Sequence, residues 1–194
     1  MLPLMLSAAL SQVPVPVTLS DLGGHPERYH GRVVRTEVVL ADFRPSDRWH
    51  HTMSAEGADY VEALGRAFPD ARDGDKVAIT GRFHHRQGGF VPRVILHATM
   101  QKVPFDVTPD LLRKGRKYDG RLVTFEDVVA DVREWRGQRT IELMTRGVEV
   151  DWAGAMAKGD RVRVTGVYRL PGGTFDPPTV DVRAGGSVVR VLRP

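Results

Sequence analysis

Two adjacent histidine pairs, His50-His51 and His84-His85, carry the side chains in this sequence best suited to metal chemistry. Four imidazoles gathered in one place would bind Zn²⁺, Ni²⁺ or Cu²⁺. Neighbouring residues of an extended chain point to opposite faces, so one member of each pair could join a shared site. The competing readings are solvated loop histidines and polar contacts to some other ligand. The chain has no cysteine, which excludes disulfides and thiolate metal sites.

A second constellation mixes aromatic and basic residues. Arg44, Arg48, Trp49, Arg82, Phe83 and Arg86 form one set, and Arg133, Trp135, Arg136, Arg163, Tyr168 and Arg169 form another. Bases stack on aromatic rings while Lys and Arg neutralise phosphates, so such sets suit a single-stranded nucleic acid or another anionic polymer. The alternative is that Trp49, Phe83, Trp135 and Tyr168 plug the ends of a barrel and the arginines keep the surface soluble. Arg113-Lys114-Gly115-Arg116-Lys117 is the densest basic run, and could track a phosphate backbone or serve as a solvated turn.

Catalysis finds little to work with. There is no Gly-x-Ser-x-Gly, no His-Glu-x-x-His and no cysteine nucleophile. No Gly-x-Gly-x-x-Gly or P-loop pattern occurs, so no cofactor is implied. The acidic pairs Glu37/Glu126 and Asp42/Asp131 recur at matching places along the chain, as scaffold hydrogen bonds would. The expectation is a non-enzymatic protein.

The elements that position these residues occur twice. Tyr29-His30-Gly31-Arg32-Val33-Val34, followed by Glu37, Val39, Ala41, Asp42 and Arg44, matches Tyr118-Asp119-Gly120-Arg121-Leu122-Val123, followed by Glu126, Val128, Ala130, Asp131 and Arg133. The offset is 89 throughout. Gly74-Asp75-Lys76-Val77-Ala78-Ile79-Thr80-Gly81 matches Gly159-Asp160-Arg161-Val162-Arg163-Val164-Thr165-Gly166 at an offset of 85, and Gly88-Gly89-Phe90 echoes Gly172-Gly173-Thr174-Phe175. Collinear echoes in the same order indicate an internal duplication of a small domain. The expected organisation is a terminal segment over 1–16, one domain over 17–104 and a second over 105–194.

Within each copy the apolar pattern has period two, the signature of strands. Val34, Thr36, Val38 and Leu40 fall on one side of the first long strand, and Val123, Phe125, Val128 and Val129 are its counterparts as core candidates. Thr18 to Leu22 predicts one helical turn, closed by Gly23-Gly24. Trp49–Ser54 and Gly57–Val61 read as short strands, Glu62–Phe68 as a short helix, and Lys76–His85 and Phe90–Val103 as a closing hairpin. Gly31, Gly81, Gly120 and Gly166 suit the bends a barrel strand must make.

A long strand opened by Gly, two shorter strands, a helix or loop, then a Gly-Asp-x-Val-x-Val/Ile-Thr-Gly hairpin resembles the OB-fold, a five-stranded partly open barrel. The resemblance spans nearly all of the chain after Thr18, twice. It implies an all-β chain with minor helix, built as two tandem OB-like barrels. It also implies that the loops carrying the two histidine pairs flank a ligand face. The family includes small exported bacterial proteins. That agrees with the apolar run Leu2–Leu10 and the small residues at Ala9 and Ser11, although no Lys or Arg precedes Arg28. These features tilt the reading toward export.

The charge balance permits these readings without choosing among them. Net charge is +4 and the calculated pI about 9.7, with +1 over 17–104 and +3 from Phe105 onward. The lead reading is therefore a non-catalytic OB-fold binding module for single-stranded nucleic acid or another anionic polymer. The alternatives are an exported envelope protein whose barrels bind protein, and histidine-based metal binding. An unpaired strand edge would leave self-association open.

Overall fold

A computed structural model describes residues 12–44, 50–56, 59–65, 71–86, 88, 93–108, 112, 116–135, 138–144, 148–152, 154–170, 178–182 and 186–191; side chains at 42–44, 50–56, 59, 60, 135, 138 and 151 are outside the description. The signal-like segment 1–11 falls outside it too. The chain divides into two compact units, Met1–Gln101 and Lys102–Pro194.

Unit 1 begins with a two-residue strand, β1 (Val15–Pro16), and a capped helical turn, α1 (Leu19–Gly24). The cap is reciprocal. The Thr18 hydroxyl accepts from the Asp21 N–H at 3.0 Å, and the Asp21 carboxylate accepts from the Thr18 N–H at 3.0 Å. This satisfies donors that a helix start otherwise leaves orphaned. Those bonds to Thr18 hold the Asp21 carboxyl below the usual carboxylate range. A second short helix, α2 (Pro26–Tyr29), leads into the long strand β2 (Val33–Arg44).

β2 is followed by β3 (His50–Glu56), β4 (Asp59–Gly65), β5 (Lys76–His85) and β6 (Arg93–Lys102). The pairings run β2-β3-β4-β6-β5 and return from β5 to β2, which closes a five-stranded barrel. β4 and β6 are parallel, while β2, β3 and β4 pair antiparallel in succession. Five strands round one barrel is the count the OB resemblance implies.

The anticipated period is observed. Val34, Thr36, Val38 and Leu40 are buried, as are Val77, Ile79 and Phe83 from β5. One element differs from the sequence expectation. The helix expected over Glu62–Phe68 is not formed across Glu62–Gly65, which complete β4. Ala63 and Leu64 suit a helix face, but Val61 and Ala63 bury at alternate positions and the segment gains partners on both sides. Such pairing outweighs a weak helical propensity.

Unit 2 repeats the plan. β7 (Phe105–Asp106) precedes a 3₁₀ turn (Arg116–Tyr118) and the long strand β8 (Leu122–Trp135). β9 (Gln138–Leu143), β10 (Glu149–Asp151), β11 (Arg161–Arg169), β12 (Thr179–Asp181) and β13 (Ser187–Arg190) follow. The order is β8-β9-β10-β12-β11, with β11 pairing back to β8 and also holding β13. Of the core candidates on β8, Val123, Phe125 and Val129 are buried, and Val128 is half-buried.

The repeated residues occupy matching places. Val34 lies opposite Gly81 as Val123 lies opposite Gly166. The Gly31 N–H donates to the Phe83 carbonyl at 2.8 Å, and the Gly120 N–H to the Tyr168 carbonyl at 2.7 Å. The Leu40 N–H donates to Asp75 at 2.9 Å, and that of Val129 to Asp160 at 2.9 Å. The short leading strands add in the same sense, Val15 beside Val34 and Phe105 beside Val123.

Candidate functional site

The rim where β5 meets the start of β2 gathers the basic and imidazole side chains of unit 1. Arg28 ends α2, with its guanidinium 5.8 Å from the Tyr29 ring centre. The tight turn that follows is made by Gly31, whose φ of +76° is cheap only for glycine. Arg82, at the end of β5, donates to the Gly31 carbonyl at 2.7 Å. His30, on the turn, meets His84 edge-on with ring centres 5.3 Å apart.

Backbone bonding fixes part of this cluster. The His85 N–H donates to Nδ1 of His30 at 3.0 Å, which leaves the His30 ring proton on Nε2. Nε2 of His85 lies 3.5 Å from a Glu27 carboxylate oxygen, while its Nδ1 is buried with no hydrogen-bond partner among the described residues. Burial, followed by the nearby charges of His30, Arg82, Arg86 and His97, pushes the His84 imidazole below its ordinary value. His97 sits on β6 in a left-handed backbone conformation, φ 51°.

Unit 2 builds the same rim with different groups. Position for position, Lys117 stands for Arg28, Asp119 for His30, Arg121 for Arg32, and Arg169 for His84. Lys117 lies 4.7 Å from the Tyr118 ring centre, repeating the cation-on-ring contact. Asp119 accepts from the Leu170 N–H at 3.1 Å. Each rim thus presents a cluster of cations with a carboxylate beside it, Glu27 in unit 1 and Asp119 in unit 2.

The aromatic residues expected at a binding face are corrected here. Phe83 is 0% exposed and Tyr168 1% exposed, so neither ring can stack on a base. Both fall on the inward parity of their strands, and the Tyr168 hydroxyl is occupied by the Leu112 carbonyl at 2.8 Å. Arg48, Trp49 and Arg136 lie outside the described residues. Arg44 and Trp135 are placed only as the last residues of β2 and β8.

The described members of the basic set expected in unit 2 do not converge either. Round unit 2, Arg133 lies opposite Thr140, Thr140 opposite Asp151, Asp151 opposite Asp181, and Asp181 opposite Val167. Four strand spacings of about 4.8 Å put roughly 19 Å of sheet between Arg133 and the rim. Arg133 is also engaged, by Glu142, by Glu149 at 3.8 Å and by Asp131 at 3.7 Å. The strand face it occupies is rich in carboxylates. Arg163 sits instead at the β8–β11 seam, where it and Arg161 bind Glu126. The bond from Arg163, then that from Arg161, holds Glu126 below the ordinary carboxylate range.

The two histidine pairs stay apart. His51 lies opposite Leu64, Leu64 opposite Leu96, and the Leu96 carbonyl abuts Gly81. The His51 and Gly81 backbones are thus about three strand spacings, roughly 14 Å, apart round the barrel, with His84 three residues further on. The partner that His84 and His85 gain is His30, and the described residues contain no group of three or more ligating side chains arranged for a metal ion. The His50 and His51 side chains lie outside the description.

Arg28, His30, Arg32 and Arg121 were not singled out by sequence reasoning as a binding set, and Lys117 only as the end of the basic run 113–117. Their signal was the 89-residue echo itself, which keeps a cation at 28/117 and at 32/121.

No protein-family model matches the chain, and no curated protein is similar to it in sequence. Solved structures do share its path. A tetrameric HIN2 domain matches with TM-score 0.40 at 13% identity, over 81% of this chain and 92% of that one. A murine DNA binding protein bound to double-stranded DNA matches with TM-score 0.34 at 12% identity, over 82% and 97%. The Ifi202 HINa domain in complex with 20-base-pair duplex DNA matches with TM-score 0.33 at 12% identity, over 84% and 98%. At TM-scores below 0.5 the likeness is one of coarse chain path and carries no functional inference. No helix among the described residues is long and apolar enough to cross a membrane.

Proposed function

We propose that the chain is a non-catalytic binding module for an anionic polymer, nucleic acid foremost, held through its phosphates at the β5 rim of unit 1 and the β11 rim of unit 2. The observation that carries this reading is a cation cluster at each rim, with cations kept at the matching places 28/117 and 32/121: Arg28, Arg32, Arg82 and Arg86 in unit 1, and Arg116, Lys117, Arg121 and Arg169 in unit 2. The strand face of unit 2, where Arg133 is tied to carboxylates, repels the same ligand. With Phe83 and Tyr168 in the cores, attraction to phosphate is the driving term and base identity matters little.

The test is a salt titration of the full chain with a fluorescent oligothymidylate and, in parallel, a duplex of equal length. Each phosphate contact to a single strand contributes a slope of about −0.7 in log K against log salt. Four contacts predict about −3, or roughly a fiftyfold loss from 50 to 200 mM. A flat salt response in both arms would remove the reading. A stronger response for one polymer would name it as the favoured class.

A further inference from the structure

The two rims differ in one chemical respect. Unit 1 places histidines at positions 30, 84 and 85, whereas unit 2 has Asp119, Arg169 and Leu170 there. The cation count of the unit 2 rim is therefore fixed across neutral and mildly acidic pH, and that of unit 1 is not. We propose that His84, with His30, Arg82 and Arg86, forms a phosphate site that takes up a proton together with its ligand. This rests on the reading of the rim as a polyanion site, and specifies how one of the two rims is regulated.

His84 is faced by His30 from the turn after α2, by Arg82 from its own strand, by Arg86 just beyond that strand's end and by His97 from β6; Glu27 and Arg28 on α2 and His85 beside it in the chain are the nearby charged and titratable groups. Glu27 lies against His85, leaving the immediate neighbours of His84 cationic or imidazole. A proton on His84 then meets repulsion and incomplete hydration, so the ring resists protonation while the site is empty. A bound phosphate reverses the balance. Its charge offsets Arg82 and Arg86, and its oxygens accept from the imidazolium.

Thermodynamic linkage then requires reciprocity: a ligand that favours the protonated ring binds more tightly as pH falls. His30 contributes differently. Its Nδ1 accepts from the His85 N–H, so it offers Nε2–H to the ligand as a donor.

The experiment follows the His84 imidazole by NMR in the full chain, with its signal assigned from its loss in His84→Gln. The probe is a twelve-nucleotide oligothymidylate, whose bases do not titrate between pH 5 and 8. Saturation with the probe is expected to raise the His84 titration midpoint by about one pH unit, equivalent to about tenfold tighter binding to the protonated site. Calorimetry in two buffers of different ionisation heat should show proton uptake on binding at pH 6.5, reduced in His84→Gln. Binding with an unmoved His84 midpoint overturns this inference and leaves the rim reading standing. Failure of the probe to bind at any pH overturns both. His30→Gln, which keeps a side-chain donor, should retain the His84 shift; its loss there would overturn the reading of His30 as a donor only.

Discussion

The hydroxyl of Tyr168 donates to the carbonyl of Leu112 at 2.8 Å inside the core of unit 2. The ring comes from β11, and Leu112 lies 56 residues earlier in the chain, so the bond ties the barrel wall to the segment before the 3₁₀ turn. Burial, then the Asp119 charge, raises the phenol above its ordinary value and keeps it protonated as a donor.

Tyr168→Phe keeps the ring and strands the Leu112 carbonyl. A buried acceptor left without its donor costs about 1–3 kcal/mol. The expected result is a lower urea midpoint for unit 2, read from strand-amide hydrogen exchange, with polyanion affinity unchanged. A loss of affinity in a fully folded variant would instead return Tyr168 to the binding face.

Gly31 and Gly81 carry different constraints although both lie where the start of β2 meets β5. Gly31 needs a positive φ, and a Cβ there would meet nothing within 4 Å. At Gly81 a Cβ would lie 2.6 Å from the Ile95 side chain and 2.7 Å from the Leu96 carbonyl oxygen, where β6 crosses. Gly31→Ala should cost about 1–2 kcal/mol through backbone strain alone. Gly81→Ala should cost more, about 3 kcal/mol, because backbone cannot move aside without opening the β5–β6 contact. Equal losses on chemical denaturation would contradict this division.

Much of this architecture was legible in the sequence because it rests on period and punctuation. The alternation of Val34, Thr36, Val38 and Leu40 is a one-strand property, and the Thr18–Asp21 cap a three-residue one. Segment 62–65 misled because Ala63 and Leu64 fit a helix as readily as a strand, and the deciding pairings with β3 and β6 are distant in sequence. The site was harder to read for a related reason. Phe83 and Arg82 are neighbours, and only the barrel's closure decides which of them faces the core. Arg133 reads as a free cation until β9 and β10 bring Glu142 and Glu149 beside it.

That pairing gives a contrast within unit 2. Lys117 lies over the Tyr118 ring at the rim, whereas Arg133 is bound by carboxylates on the strand face. Lys117→Gln should lower affinity for an oligonucleotide and reduce the salt slope by about 0.7, the value of one single-strand phosphate contact. Arg133→Gln exposes Glu142 and Glu149 without removing a phosphate contact, so the slope should stay as it was. Matching changes in both variants would move the interface from the rim to the strand face.

Acid should weaken the two units in different pH ranges. In unit 1 the folded state holds His84 below its ordinary value, so the unfolded chain binds the proton more readily. The stability this contributes is fully present above the unfolded imidazole value of about 6.5, and is lost as pH falls from there toward the folded value. In unit 2, Glu126 is lowered by its bonds from Arg163 and Arg161, and Asp160 by the Ala157 N–H and then Arg190. Their contribution is present above the ordinary carboxylate range and is lost as pH drops through the depressed folded values. Hydrogen exchange at pH 7.5, 5.5 and 3.5 should therefore show protection on β5 falling first and on β11 later. His84→Gln should flatten the β5 profile between 7.5 and 5.5 while leaving β11 unchanged. A β5 profile that is already flat in the unaltered chain would mean that the surroundings of His84 do not resist its proton.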